Sequence, residues 1–581
     1  MKNKIGIIFL VLGMAVGTLV TGAGGIFLYK KVKQRNSPAR YAAAAPVKAV
    51  EGVKIFTAGS LDRIFQDGKT LVKPNFGEAV TLSAAQNEYE SFQVVIQSER
   101  DLAAVSLQIS DLFNPSVNAK IDPKNISWRV VGYVPTVEPY YPVKYIGEWP
   151  DPLMPAASAD VSAKTTQPFW ITVYVSPETP AGDYQGKIQV LVEGNVRQEI
   201  PVDLHVYAFV LPKENHLKTA FDFYGHHTKN RYPQGESESE AAYLARLGGL
   251  NEKYLVTMLK YRMNPILNVD PTSQVHLAAV DRYRVHGLNN FSIGRRGGTL
   301  GNNWPLGDKG VEDLLGQYRT YGEMLKLNKL LQYTYIYTWD EGKIGNPRVS
   351  KIASMIHRAY PGLKNMVCYH GFWDPDELPG WGKDVDIWCF HIDNFIEAKM
   401  QKLKKIGMEI WMYVSGPSGY TSPNLAMDFD SLDYRIIPWL CWKYDIKGFL
   451  YWCVNWWPKV DPFKSAKNTD WEQNGNGLLF YPGKDGPIAS LRLEIFRDGI
   501  EDYEYLVLLK EKLKLLGEKN VPAQYQNIYN QARDLLRFDP SFIGSMFQYV
   551  RDNEILQARR DMIGKTIEEL DKILLSLNAG Q

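Results

Sequence analysis

LLQYTYIYTWDEG, residues 330–342, reads as a strand that ends in acids. From Tyr333 to Trp339 it is aromatic and β-branched with no turn former. It stops at two adjacent carboxylates, Asp340 and Glu341, followed by Gly342. A buried parallel strand presents catalytic groups in this way, at its carboxyl end. Side chains alternate along a regular strand, so both acids reach one pocket only where the chain bends; Gly342 permits that bend. The same pair would also serve a helix start, with Asp340 as N-cap and Glu341 in the first turn. The surroundings must choose.

On either side of this strand, strand and helix patterns alternate from about Lys218. Strands are expected at 219–224, 264–269, 290–293, 331–339, 365–369, 385–391, 409–414 and 448–454. The clearest helical patterns between them are 313–326, 350–358 and 396–406. Eight strands, most followed by a helix, predict a (β/α)8 TIM-type barrel over 213–510, with the acid pair ending the fourth strand. The strand ends then converge on one mouth. His226 and His227 follow the first and Arg295 and Arg296 the third. His370, Phe372 and Trp373 follow the fifth. His391, Asp393 and Asn394 end the sixth, Tyr413 and Ser415 the seventh, and Trp452, Asn455, Trp456 and Trp457 the eighth. One histidine at a strand end is commonly structural; so many polar and aromatic groups at one rim point to a binding mouth. His391 and Asp393 have no third ligand at recognisable spacing, so no metal and no cofactor are expected.

The N-terminal half is different. Residues 51–212 carry short alternating runs at 79–82, 91–97, 105–109, 126–134, 169–175, 186–192 and 199–210, divided by turn formers. This is the pattern of a β-sandwich. The Pro-dense WPDPLMP, 149–155, reads as a rigid structural loop. Ahead of the sandwich, Lys2 and Lys4 precede an uncharged run over 5–29, and Lys30, Lys31, Lys33 and Arg35 follow. A run of about 25 residues can span a bilayer, whereas the apolar part of a cleaved signal is about 7–15. Residues 1–35 are therefore read as a transmembrane signal-anchor in preference to a cleaved signal peptide, and 36–50 as a linker. Either form makes the remainder extracytoplasmic. Residues 511–581 continue as C-terminal helices, interrupted at Pro522 and Pro540. The net charge of +2 implies no nucleic-acid partner. The 4 cysteines, Cys368, Cys389, Cys441 and Cys453, lie in apolar runs without C-x-x-C spacing and read as buried thiols.

Four segments besides the acid pair carry a family resemblance: NEYESFQ at 87–93, WPDPLMP at 149–155, NGNGLLFYPG at 474–483 and RLEIFRDGIEDYEYL at 492–506. The last is helical by its apolar spacing, and its dense acids and arginines read as ion pairs that pin it to the barrel. Over about 51–510 the chain resembles glycoside hydrolase family 123. That resemblance implies a sandwich followed by a barrel, and a retaining β-N-acetylgalactosaminidase. It also implies substrate-assisted catalysis, in which the substrate's acetamido oxygen replaces a protein nucleophile. Ordinary retaining enzymes place two carboxylates about 5–5.5 Å apart, usually on different strands. Here the resemblance makes Asp340 the stabiliser of the oxazolinium intermediate and Glu341 the acid/base. Glu341 would then need a raised pKa from a dry, Trp-lined pocket.

A tyrosine to steady the acetamido oxygen is expected from strand ends: Tyr413, with Tyr337 and Tyr451 as rivals. Trp373, Trp452 and Trp456 are candidates for the wall around the sugar, with Asn455, His370, His391 and Asp393 as further contacts. The expected partner is a glycan or glycoconjugate, and the membrane is met through the N-terminal segment alone. Two alternatives stay open. One is a glycosidase for β-GlcNAc or a non-acetamido sugar with a conventional nucleophile; the other is a non-catalytic carbohydrate-binding surface protein.

Overall fold

The computed structural model describes residues 51–68, 79–293, 308–341, 347–371, 383–416, 422–457, 460–469 and 471–579. Residues 1–50, with the expected anchor and linker, lie outside these, as do Gly342, Arg295, Arg296, Phe372 and Trp373. Among the described residues no helix is long and apolar enough to cross a membrane.

Alternating apolar residues fold the N-terminal region into two sheets. One has five strands in the order Val53–Gly59, Glu88–Ser98, Thr165–Val175, Ile126–Pro135, Glu148–Met154, all antiparallel. The other is a mixed sheet of seven, in which Val80–Gln86 runs parallel to Asn195–Val210. Phe92, Val94, Ile96, Phe169 and Ile171 of the first sheet pack against Leu107, Ile188, Val190 and Leu204 of the second. The first sheet is buried on its other face too, where Trp170, Val131 and Leu153 join the large core that reaches the parallel sheet. That is why its strand Glu88–Ser98 is buried almost without a break, while Gly182–Val192 of the second sheet alternates over much of its length.

WPDPLMP is not a loop. Residues 148–154 form the edge strand of the first sheet, with a register shift opposite Val131 and Tyr133. Prolines are tolerated at an edge because no neighbour asks for their missing N–H. Asp151 within it is fully buried and grips Arg492 at 2.9 and 2.7 Å.

The parallel sheet has eight strands: β1 Lys218–Phe221, β2 Asn268–Val269, β3 Phe291–Ile293, β4 Thr334–Trp339, β5 Asn365–Tyr369, β6 Ile387–His391, β7 Glu409–Val414 and β8 Gly448–Tyr451. Their order is β1-β8-β7-β6-β5-β4-β3-β2, every pair parallel. The sheet curls on itself. Ala220, Tyr335, Tyr337, Met366, Cys368, Ile387, Cys389, Trp411, Tyr413 and Leu450 form one cluster on its concave face. Their neighbours Trp388, Phe390, Ile410 and Met412 face outward, into the core shared with the helices.

The expected (β/α)8 barrel is met in its curled parallel sheet and flanking helices, not in its full regularity. β2 and β3 are short, and Pro265 interrupts the segment expected to be one strand over 264–269. Residues 264–266 return to β1 only through an isolated bridge, Phe221 to Pro265. Among the described residues no helix separates β5 from β6.

The helices, numbered among the described residues, are α1 Gly225–Arg231, α2 Glu240–Lys260, α3 Gln274–Arg284, α4 Asp308–Leu327, α5 Pro347–Ala359, α6 Glu397–Lys405, α7 Ser431–Lys443, α8 Leu491–Gly517, α9 Gln526–Leu536 and α10 Asn553–Ala579. α8 is the RDGIEDYEYL helix, and it is the structural hub. Ser490 caps its start. Arg492 meets Asp151 of the sandwich, Asp502 meets Arg435 of α7 at 2.7 Å, and Glu501 meets Arg262 at 2.9 Å. Arg560 of α10 reaches Glu88 and Glu90 at 2.6 and 2.8 Å. These pairs tie sandwich, curled sheet and C-terminal helices together.

Candidate active site

β4 ends at Trp339, and the next two residues carry the acids. The bend does not wait for Gly342: Glu341 itself is left-handed, with φ of +46°. A non-glycine residue rarely adopts this conformation, and such strain gathers at functional sites. It breaks the strand's alternation, so Asp340 and Glu341 need not face opposite sides.

Each acid has its own tyrosine from the concave face. Tyr337 Oη donates to Asp340 Oδ1 at 2.6 Å, and Tyr413 Oη donates to Glu341 Oε1 at 2.8 Å. Tyr337 is three residues back on the same strand; Tyr413 comes from β7. Both hydroxyl-bearing rings are buried while both acids are exposed. Burial, then the neighbouring Cys368 and Glu341, holds the Tyr413 hydroxyl well above its ordinary pKa, so it stays a proton donor.

Tyr413 is in turn packed against His391, ring centroids 5.0 Å apart, and His391 against His370 at 4.8 Å. His391 is buried, and burial lowers its pKa to about 4. Its Nδ1 accepts from the Asp393 backbone N–H at 3.4 Å, which leaves the proton of the neutral ring to Nε2; among the described residues Nε2 has no hydrogen-bond partner. Asp393 is held by Ser422 Oγ at 2.6 Å. Asn394 Oδ1 accepts from Gly371 N–H at 2.9 Å and joins the ends of β5 and β6. His370, His391, Asp393 and the two acids are thus brought to one rim.

Trp452 and Trp456 stand at the end of β8, half-buried, 5.1 Å apart. The NGNG turn explains how Trp452 is held. Its Nε1 donates to Asn476 Oδ1 at 2.9 Å, and Gly477 sits so close that a Cβ there would overlap the indole. Gly477 also has a φ of +73°, which favours glycine.

Two expected contacts fall elsewhere. Tyr451 points to the outer core, not the concave face, and its hydroxyl accepts from Gly477 N–H at 2.8 Å. Asn455 turns both ends of its carboxamide to the backbone of Tyr224, at 2.9 and 3.0 Å, and its oxygen also accepts from Cys453 Sγ at 3.6 Å. It ties the first strand's loop to the eighth. His227 is tied to the same place through the Asn455 carbonyl, at 2.9 Å. Tyr140 and Gln473, which reach the rim beside Asp393, were not singled out by their sequence; Tyr140 belongs to the N-terminal region.

Acid/base work on an oxygen leaving group needs carboxylates that can exchange protons, and sugar rings dock on aromatic faces. A carboxylate pair at the carboxyl end of one parallel strand, with tryptophans at the end of another, is an arrangement suited to glycoside hydrolysis. Residues 300–509 match the catalytic-domain model of glycoside hydrolase 123, and residues 59–192 match the model of the glycoside hydrolase 123 N-terminal domain. The chain belongs to glycoside hydrolase family 123.

Among solved structures, a family 123 glycoside hydrolase from Clostridium perfringens, studied for glycolipid glycan hydrolysis, superposes with a TM-score of 0.66 at 14% identity. The match covers 91% of this chain and 100% of that one. A family 39 glycoside hydrolase from Bacteroides cellulosilyticus gives 0.32 at 11% identity, over 72% of this chain and 81% of that one. A Bacteroides ovatus GH5 xyloglucanase gives 0.29 at 11% identity, over 72% and 98%. No curated protein matches the chain.

Proposed function

We propose that the protein is a retaining exo-β-N-acetylhexosaminidase that removes terminal β-linked N-acetylgalactosamine by substrate-assisted catalysis. The observation that carries this reading is the pair of adjacent acids, each anchored by a different tyrosine of the concave face. Two acids one residue apart are poorly placed as a nucleophile and acid on opposite sides of a sugar. They are well placed to act on neighbouring atoms of one sugar.

In this mechanism the acetamido oxygen attacks the anomeric carbon. The glycosidic C–O bond breaks, and the leaving oxygen takes the proton of Glu341. Asp340 holds the acetamido N–H and offsets the positive charge of the oxazolinium ion. Glu341 then takes a proton from the water that opens this ring, restoring the acid. Tyr413 exchanges its bond to Glu341 for one to the acetamido oxygen when the sugar enters. The sugar also supplies the desolvation at Glu341, which is exposed in the free protein. The curled sheet acts as the barrel that gathers these groups. By analogy with the glycolipid glycans of the Clostridium perfringens enzyme, the substrate is the terminal sugar of a glycoconjugate. Residues 1–35 hold the enzyme at the outer side of a membrane.

Hydrolysis of aryl β-GalNAc, β-GlcNAc and β-galactoside, with and without a thiazoline inhibitor, tests the reading. Cleavage confined to the acetamido sugars and blocked by thiazoline is expected, with Glu341→Gln and Asp340→Asn each lowering kcat about 100-fold or more. Near-normal turnover in both variants would end it.

Asp393 favours a second reading. It is a third carboxylate at the rim, held at 2.6 Å by Ser422. As a conventional nucleophile it would give thiazoline-resistant cleavage of the plain galactoside, abolished by Asp393→Asn.

A further inference from the structure

The segment between the last two strands of the five-stranded sheet leaves the N-terminal region and lies over the mouth of the parallel sheet. It is tied down at several points. Val137 N–H donates to Asn474 Oδ1 at 3.0 Å, and Asn474 Nδ2 returns to the Val137 carbonyl at 2.8 Å. Tyr141 is buried and donates to Asp428 at 2.8 Å. Its neighbour Tyr140 points the other way and is 52% exposed. Tyr140 is nonetheless fixed: its ring packs edge-on against Tyr141 at 5.2 Å, and its hydroxyl accepts from Gln473 Nε2 at 3.0 Å. Its place is the catalytic rim. Gly416 follows β7 by two residues, and a Cβ on it would lie 3.0 Å from Tyr140 Oη. Burial and the charge of Asp393 both press on the Tyr140 hydroxyl.

Gln473 and Glu472 hold Tyr140 on one side; Trp471 precedes them in the chain and is 59% exposed. Its ring meets Trp452 edge-on at 6.0 Å. The half-buried wall of Trp456 and Trp452 therefore continues outward through Trp471, and across residues 472–473 to Tyr140. Large exposed rings on anchored backbone, in line with a sugar pocket, are what a second pyranose needs: its C–H face docks on an aromatic face.

We propose that Tyr140 and Trp471 form the platform for the sugar next to the one cleaved, so that the N-terminal region takes part in choosing the glycan. This rests on the hexosaminidase reading, because an exo-acting enzyme meets every further sugar on the leaving-group side.

The experiment uses the full chain and two substrates: an aryl β-GalNAc glycoside, and a trisaccharide with terminal β-GalNAc. The quantity read is the ratio of kcat/KM for trisaccharide to that for aryl glycoside. Tyr140→Ala and Trp471→Ala each lower this ratio about tenfold, and Tyr140→Phe, which keeps the ring, holds it within twofold of wild type. Thermal melting confirms that the variants are folded. The proposal is overturned if both alanine variants keep the ratio within twofold, if they depress both substrates equally, or if Tyr140→Phe behaves like alanine. Failure of the wild type to cleave either substrate overturns the hexosaminidase reading and this inference with it.

Discussion

Tyr413 Oη lies 2.8 Å from Glu341 Oε1, so the acid that ends β4 is held by a side chain from β7, three strands further round the curl. Tyr413→Phe removes that donor and keeps the ring. One preorganised donor at a reacting centre is worth a factor of about 100–1,000 in kcat. The variant should lose about 100-fold in kcat on an aryl β-GalNAc glycoside, with the melting temperature little changed. Steady-state kinetics beside a melting curve check both halves.

His391 makes the protein sensitive to acid. Burial lowers its pKa from 6.5 to about 4; the nearby Asp393 pushes the other way, while His370 adds to the lowering. The unfolded chain therefore binds a proton that the folded chain refuses. Stability from this source is complete above about pH 6.5 and is lost as pH falls towards 4, by about 3 kcal/mol in all. His391→Gln should flatten the fall in melting temperature across that window, relative to wild type. An unchanged slope would contradict it.

Gly477 holds its φ of +73° against the face of Trp452. Gly477→Ala adds strain and a clash at once, costing about 1–3 kcal/mol and tilting the indole. KM for the aryl glycoside should rise more than kcat falls. Trp452→Phe, which makes room, should soften the stability loss in the double variant.

Asp151 and Arg492 are both fully buried. Asp151→Asn leaves the guanidinium without its counter-charge and should cost about 3–5 kcal/mol, read as a lower urea midpoint. Lys144 and Asp430 form an ion pair of similar length, 2.5 Å, with much of the lysine in water. Lys144→Ala should cost less than about 1 kcal/mol. The contrast separates burial from mere ion-pair count.

The strand bearing the acids was legible because its composition is extreme: six residues of β4, aromatic or β-branched, stop at two charges. Helices expected over 313–326, 350–358 and 396–406 appear as 308–327, 347–359 and 397–405. Proline misled twice. In WPDPLMP it masked an edge strand, and in 264–269 Pro265 broke a strand that the apolar pattern promised. Strand-end placement could not choose among the tyrosines, because facing depends on parity: Leu450 looks into the curl, so Tyr451 looks out. Tyr140 left no trace, since its role comes from a distant segment folding over the mouth.

The left-handed turn at Glu341 has an evolutionary consequence. Its φ of +46° is one that glycine or asparagine would occupy with less strain. Mutations to either would relax the backbone while abolishing the acid, so folding stability and turnover pull this codon in opposite directions. If Glu341 is the proposed acid/base, a lineage released from selection for catalysis should drift here first.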